Sequence, residues 1–470
     1  MDAAVRASVG WARVGVRPRG KRMRRLGIIV LLAGAVGAGP VMAQSGDANR
    51  ARCEGGDPDA AIASCTALIQ SGQATAKELP TIYFNRGVAH LDNEEYSKAI
   101  EDCSEAIRLN PSYGDAFLDR GLAHKDNNEY DLAIQDYDQA IKLNPKDAVA
   151  FNDRGGAYAS DGKFDRAAQD FTQAIVLDPT DSRAYSNRGA VYYTKQEYDL
   201  AIPDLDQAIK LSPHDSDSMR YRGWAKQKSG DKAGGDADVA ASEREEARQK
   251  NVAQCKNSNG DVQIASCSAL IEAGQEAKGD LNLIYARRGM AYLGKKDYDR
   301  AIDDFDQSIK LDPSFAALFY LRGNTYGLKA QFDRAIPDFS QAIKLDPEDA
   351  DSFGSRCFAR AIDGELAAAL ADCDESLRLR KKSGDTDPEK AGKIFATRGF
   401  VYLKMKKPDA AIAEDNAALA ADPKWAFPLF GRGLAERSKG DTAAAATDIA
   451  AAKEDQPDVA DQFTKWGVAQ

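Results

Sequence analysis

The amino-acid sequence predicts an all-α protein, an α-solenoid of helix-turn-helix repeats arranged as two superhelical blocks. Three observations carry that expectation. The dipeptide Arg-Gly recurs every 34 residues, at Arg86-Gly87, Arg120-Gly121, Arg154-Gly155, Arg188-Gly189 and Arg222-Gly223. A second series follows at Arg288-Gly289, Arg322-Gly323, Arg356-Cys357, Arg398-Gly399 and Arg432-Gly433. Within each unit an aromatic or large apolar residue sits four before the glycine, an alanine usually lies twelve after it and a bulky residue sixteen after it, offsets that suit helix faces. Eight units close on a proline (Pro111, Pro145, Pro179, Pro213, Pro313, Pro347, Pro423 and Pro457), which stops a helix and turns the chain. Each unit is therefore a helix pair.

The first element in chain order is a targeting segment. Residues 1–25 hold eight basic residues and a single acid, Asp2. The apolar stretch Leu26 to Met42 follows, short for a membrane span, and closes on Val41-Met42-Ala43. Residues 1–43 thus read as a signal peptide cleaved after Ala43, and Met23 is an alternative start that gives a signal of ordinary size. The expected location is outside the cytoplasm, most simply a bacterial periplasm, with no stable membrane insertion after the signal is removed. The 470-residue chain carries 63 Lys+Arg against 73 Asp+Glu, a net charge of −10, and loss of residues 1–43 makes that −17. An acidic chain of this kind lacks the basic face that phosphate neutralisation needs, so nucleic acid is excluded as a partner.

Residues 44–250 form the expected first block, a half-repeat plus five repeats, and residues 251–470 the second, with Asp458 to Val468 as a capping helix. The second block repeats the first. Cys255 with IASCSALI ending at Ile271 matches Cys53 with IASCTALI ending at Ile69 at an offset of 202, and the same offset carries Arg86-Gly87 onto Arg288-Gly289. The break between the blocks falls in the charged stretch Ser242 to Lys250, after a fifth unit with Gly235 and Lys232 at positions held in the four earlier units by alanine and an aromatic. The eighth unit is irregular too, with Cys357 for glycine and an eight-residue insertion around Ser383 to Lys390.

These features resemble the tetratricopeptide repeat, with a bulky residue at position 4, Gly at 8, Tyr at 11, Ala at 20, an aromatic at 24, Ala at 27 and Pro at 32. In the third unit Phe151, Gly155, Tyr158, Ala167, Phe171, Ala174 and Pro179 take those places in order. The resemblance spans about residues 80 to 457. It implies right-handed superhelices whose small residues let the two helices of a pair approach, while aromatics fill the gap to the next pair.

Few residues offer chemistry of their own. Cys53 with Cys65 and Cys255 with Cys267 share one spacing, and in an exported chain such pairs are disulfides. Cys357 and Cys373, at positions 8 and 24 of one unit, face each other and form a third candidate pair, which leaves Cys103 as a buried thiol. His90 and His124 both fall at position 11, about a helix-packing distance apart, which is too far to share one ion, so no metal and no cofactor are expected. The carboxylates follow the repeat period. Asp102, Asp136, Asp170, Asp204, Asp238, Asp304, Asp338, Asp372, Glu414 and Asp448 stand at position 23, each facing the Arg at position 7, and read as ten structural ion pairs. No phosphate loop, nucleophile elbow or zinc-protease motif is present, and no catalytic residue is assigned.

The resemblance also implies a concave wall built from positions 2, 5, 9, 12 and 13. Carried over unit by unit, the first block contributes Phe84, Val88, Leu91, Leu118, Leu122, Lys125, Asn152, Tyr193, Arg220, Trp224 and Gln227. The second contributes Met290, Leu293, Tyr320, Asn324, Phe358, Phe400, Leu403, Phe430 and Leu434. The expected function is a non-enzymatic exported scaffold or adaptor that binds a protein or peptide in this groove. The alternative is a cell-envelope assembly factor that binds glycan or peptidoglycan or assists an envelope hydrolase. Flat aromatic platforms would favour the glycan, and alternating apolar and polar pockets the peptide.

Overall fold

The computed structural model describes residues 46–72 and 74–468, so the signal segment 1–43 lies outside the described residues. Those residues form consecutive α-helices with no strand among them. They gather into two compact units that divide between Glu246 and Ala247.

The first unit opens with α1 (Gly46–Cys53) and α2 (Pro58–Ser71), a half-repeat whose Cys53 and Cys65 sulfurs lie 2.09 Å apart. The repeats follow as pairs: α3 (Leu79–Asp92) with α4 (Tyr96–Leu109), α5 (Gly114–Asp126) with α6 (Tyr130–Leu143), and α7 (Ala148–Ser160) with α8 (Phe164–Leu177). Then come α9 (Ser182–Thr194) with α10 (Tyr198–Leu211), and α11 (Ser216–Ser229) with the long helix α12 (Lys232–Asn257).

The second unit repeats the plan. Its half-repeat helix α13 (Gly260–Ala273) places Cys267 2.01 Å from Cys255. The pairs are α14 (Lys278–Gly294) with α15 (Tyr298–Leu311), α16 (Ala316–Leu328) with α17 (Phe332–Leu345), and α18 (Ala350–Asp363) with α19 (Leu366–Ser383). They continue with α20 (Pro388–Lys404) and α21 (Pro408–Leu419), then α22 (Ala426–Ser438) and α23 (Thr442–Asp455), and end in a short helix, α24 (Val459–Lys465).

The sequence period explains how each pair closes. Gly155 sits so near the next helix that a β-carbon there would come within 2.8 Å of the Phe171 ring, so only glycine lets the ring seat against the backbone. The alanines at positions 20 and 27, such as Ala99, Ala106, Ala133, Ala167 and Ala201, are buried between the two helices. In the eighth unit the glycine and its facing aromatic are both replaced by cysteine, and the Cys357 and Cys373 sulfurs lie 2.13 Å apart. Entry into several repeats is capped by aspartate: Asp147 accepts from the Val149 and Ala150 amides, and Asp181 and Asp215 do the same at α9 and α11.

The turn inside each pair follows one rule the sequence did not display. Position 15 has positive φ throughout: Glu94, Asn128, Gly162, Gln196, Gly230, Lys296, Ala330, Gly364, Lys406 and Gly440. Only four of the ten are glycine, so no glycine pattern marks the turn.

Candidate binding grooves

Within each unit the first helices of neighbouring repeats pack on one another, α3 on α5, α9 on α11, α18 on α20 and α20 on α22, whereas the second helices make no comparable contact. The first helices therefore form the inner wall, and their outward residues line it.

The Arg at position 7 fixes that wall. Arg154 Nε donates to Asp170 Oδ2 (2.8 Å) and Nη2 to Oδ1 (2.7 Å), a two-pronged bond from the first helix to the second. The same fork joins Arg86 to Asp102, Arg120 to Asp136, Arg188 to Asp204, Arg222 to Asp238, Arg288 to Asp304, Arg322 to Asp338, Arg356 to Asp372 and Arg432 to Asp448. Hydrogen bonding to Asp170 pushes the Arg154 guanidinium still further above its usual range, so it stays charged. Planar guanidinium against carboxylate gives direction as well as attraction.

Each Arg also reaches back one repeat. Its remaining Nη1 bonds a short polar residue at position 25 of the preceding second helix: Arg120 to Ser104, Arg154 to Asp138, Arg188 to Thr172, Arg222 to Asp206, Arg322 to Asp306 and Arg356 to Ser340. The position-4 aromatics cover the guanidinium groups, as Phe151 does for Arg154 at 5.4 Å and Tyr83 for Arg86 at 5.5 Å. One residue per unit thus ties two helices and two repeats together. Short polar side chains recurring at position 25 were the signal in the sequence for the second tie.

The ninth unit departs. Its acid is Glu414, one methylene longer, and it takes a single bond from Arg398 Nη2 (2.6 Å), leaving Arg398 Nε and Glu414 Oε2 buried without a partner. Next to it, Asp415 occupies position 24, the slot of Phe171 and Leu205. It is 1% exposed, its Oδ2 lacks a partner, and burial holds its pKa well above the usual carboxylate range.

The two position-11 histidines are held by local acids. His90 Nδ1 lies 2.5 Å from Glu95 Oε2, and His124 Nδ1 lies 2.6 Å from Glu129 Oε2. Among the described residues no group of three or more His, Cys, Asp or Glu could hold a metal ion.

In the first unit the wall is open along most of its length. Phe84 rests half-buried on Tyr113 at 4.9 Å, and Val88, Leu91, Leu122 and Lys125 are partly exposed around it. At the far end Tyr193, Tyr221 and Trp224 meet, with ring centres 5.5 to 6.0 Å apart. Burial pushes the Tyr221 hydroxyl up to about 12, so it stays protonated. Arg220 pairs with Asp217 and Glu246, and Gln227 donates to Asp236. Two expected wall residues lie deeper than the register implied. Leu118 is buried in the core between repeats, and buried Asn152 accepts from Asn187 Nδ2 at 3.0 Å, so both join first helices to each other.

The second unit divides. Met290 is exposed, and Leu293, Tyr320 and Asn324 are partly so, with Tyr320 6.1 Å from Phe339. Further on, Phe400, Phe430 and Leu434 are buried and Leu403 packs against the same core, because α24 lies over them. Phe463 of α24 stacks on Phe400 (5.3 Å), Phe427 (5.1 Å) and Phe430 (4.9 Å). Trp466 reaches Phe358 at 5.7 Å and Phe400 at 6.0 Å. The expected capping helix is therefore a helix laid on the concave wall. Sequence register assigns those aromatics to the wall but could not show that the chain covers them itself.

A stack of helix pairs with an inner wall of apolar and aromatic side chains defines a repeat scaffold. Family models of the tetratricopeptide repeat match residues 80–113, 118–182, 182–215, 283–315 and 316–349. The chain thus carries tetratricopeptide repeats in both units. Similar solved structures include MamA from Desulfovibrio magneticus RS-1, 19% identical over 37% of this chain and 97% of its own, with a TM-score of 0.34. YrrB, described as a tetratricopeptide repeat protein with an unusual peptide-binding site, is 18% identical over 54% of this chain and 97% of its own, with a TM-score of 0.27. Yeast Tom70 is 13% identical over 83% of this chain and all of its own, with a TM-score of 0.30. No curated protein matches the chain.

Proposed function

We propose that this protein is an exported, non-enzymatic scaffold that binds a protein or peptide on the concave wall of its repeats. Proteins of this repeat family act as protein-interaction scaffolds, and the observation that supports the reading here is the open wall of the first unit. Phe84, Val88, Leu91 and Leu122 at one end, and Tyr193 and Trp224 at the other, stay partly exposed on a rigid surface. A preformed apolar wall with scattered polar groups is what a peptide uses. Tyr221 and Trp224 meet edge to face at 84°, so the two rings do not join into one extended flat platform of the kind a sugar chain would stack on. This supports peptide over glycan.

Export rests on the basic and apolar order of residues 1–43 and on three cysteine pairs at bonding distance. Among the described residues no helix is long and apolar enough to cross a membrane. The mature N-terminus is then Gln44, and mass spectrometry of the purified envelope protein checks it; a chain that still begins upstream of Leu26 refutes export.

The binding reading is tested by in-cell crosslinking with mass spectrometry of the captured species, followed by titration of that species. Aromatic anchors dominate such contacts, with loss of a central one costing about 2 kcal/mol or more, so Trp224→Ala should weaken binding at least tenfold with the fold intact. Tyr320→Ala reads the second unit in the same assay. Unchanged affinity in both moves binding off the concave wall.

A further inference from the structure

We propose that the C-terminal segment Val459 to Val468 is a resident ligand of the second unit's groove, and that the external partner of that groove is an amphipathic helix presenting an aromatic pair three residues apart. The segment behaves as a docked peptide. Its helix is only seven residues long, too short to be stable alone, so its order comes from what it rests on. Val459, Ala460, Phe463 and Val468 are buried, while Asp461, Thr464 and Lys465 face solvent. Gly467 turns the chain with a φ of 82°, and the Val468 amide returns to the Phe463 carbonyl at 2.9 Å, which brings Val468 back onto the wall.

What it touches separates a ligand from an end cap. The helix lies against the last pair, α22 and α23, as an end cap would, but its side chains reach beyond that pair. Here Phe463 and Trp466 together contact Phe358 of the eighth repeat, Phe400 of the ninth, and Phe427 and Phe430 of the tenth. Phe358 and Phe400 stand at position 9, Phe427 at position 2 and Phe430 at position 5, all groove positions. Lys404 borders the same site, its Nζ spent on the Ala361 and Ile362 carbonyls and its ring contact on Phe400 at 5.6 Å.

The first unit shows how such a block ends without a tail. Allowing for the eight-residue insertion, Gln456-Pro457 corresponds to Glu246-Ala247, where α12 runs on without a break. In the second unit Pro457 ends α23 and frees the chain to double back. The linker from Asp455 to Val459 holds the tail at an effective concentration in the millimolar range, so a separate helix of the same chemistry must compete with it.

This inference deepens the peptide reading for the second unit and rests on it only there. The first unit's wall and Trp224 play no part, so a failure at Trp224 and a failure here are separate results. The test uses the full mature chain and a fluorescein-labelled synthetic peptide of residues 456–470. The Phe463→Ala/Trp466→Ala variant should bind the peptide with a clear anisotropy rise, and wild type at least tenfold more weakly. A peptide with alanine at both aromatic positions should not bind. Equal binding to wild type and variant overturns the proposal, as does no binding by a variant whose circular dichroism and cooperative melt match wild type. Should that variant fail to fold, a protease site placed between Asp455 and Val459 reads the same equilibrium with every groove and tail side chain intact. Release of the cut tail on dilution, with the second unit still folded, supports the proposal. Unfolding on release, or retention through exhaustive dilution, overturns it.

Discussion

The two units share one register, at an offset of 202 residues until an eight-residue insertion in the eighth repeat, yet they finish differently. The first leaves its fifth repeat through an uninterrupted helix of 26 residues and keeps its aromatic wall open. The second leaves its tenth through Pro457 and spends its last residues filling the wall of repeats eight to ten. The cores differ accordingly. In the first unit apolar clusters stay small and follow the repeats, such as Leu118, Ala133, Tyr137 and Ala150. In the second, one cluster runs from Cys357 to Val468 and joins three repeats to the tail. A repeat array is close to a sum of nearest-neighbour terms, and the tail adds a contact that skips neighbours. Equal registers therefore do not give equal stability or equal access.

The largest effect should come from the Arg ladder, and it should differ between units. Arg154→Ala removes the fork to Asp170, the tie to Asp138 and the cover on Phe151 together, and strands Asp170 at 7% exposure. Breaking a buried pair from one side costs about 3 to 5 kcal/mol. Arg398→Ala in the ninth unit loses one bond to Glu414 and one to Asp374, so it should cost distinctly less. Chemical denaturation that separates the two units checks both, and equal losses would show the fork to be irrelevant.

Next is the tail. Phe463 is fully buried against three rings, and truncating such a side chain costs about 3 kcal/mol. Phe463→Ala should lower the transition of the second unit alone. A matching loss in the first would mean the units do not melt separately.

Most of this architecture was readable in the residues because it repeats. Gly at position 8, Ala at 20 and 27 and Arg opposite Asp are each seen many times, so noise in one unit does not hide them. Cys357 with Cys373 was readable for the same reason, as both take known facing positions. The rest was not legible because it happens once or uses varied residues. Nothing in Val459 to Val468 says that it turns inward, since an amphipathic segment fits an end cap equally well. Leu118 and Asn152 stand at wall positions but are buried, because wall and inter-repeat seam meet along one helix and register alone cannot divide them.

A third prediction sharpens the contrast between Asp170, neatly paired, and Asp415, buried with no partner for Oδ2. Desolvation raises the Asp415 pKa, with Glu414 and Asp448 adding to it and Arg432 opposing. The sign follows from proton linkage. The folded state holds this proton more tightly than the unfolded chain, so the contribution is complete below about pH 4, where the unfolded carboxyl titrates, and is lost as pH rises toward the folded value. The second unit should therefore lose stability over that range more steeply than the first. Asp415→Leu, which copies Leu205 in the fourth repeat, should remove the slope and stabilise the second unit at neutral pH by about 2 kcal/mol. Melts of wild type and Asp415→Leu from pH 4 to 8 decide it, and an unchanged slope would place the titrating group elsewhere.

The smallest effect tests the turn that both units share. Position 15 has positive φ in every repeat, but the first unit meets it with Glu94, Asn128, Gly162, Gln196 and Gly230, whereas the seventh repeat, in the second unit, uses Ala330 at 56°. The Gln331 amide returns to Tyr326 at 2.9 Å and the Ala330 amide to Gly327 at 2.8 Å, the hydrogen bonding that closes a helix through a left-handed residue. An alanine β-carbon crowds the backbone there, at a cost of about 1 kcal/mol. Glycine relieves the crowding but gains freedom in the unfolded chain, which offsets part of the benefit. Ala330→Gly should thus stabilise the second unit by about 0.5 kcal/mol, and Gly162→Ala should destabilise the first by a similar amount. Opposite signs in paired denaturation curves support a common turn requirement. If Ala330→Gly destabilises, unfolded-state entropy outweighs the strain and the left-handed turn is no weak point of the repeat.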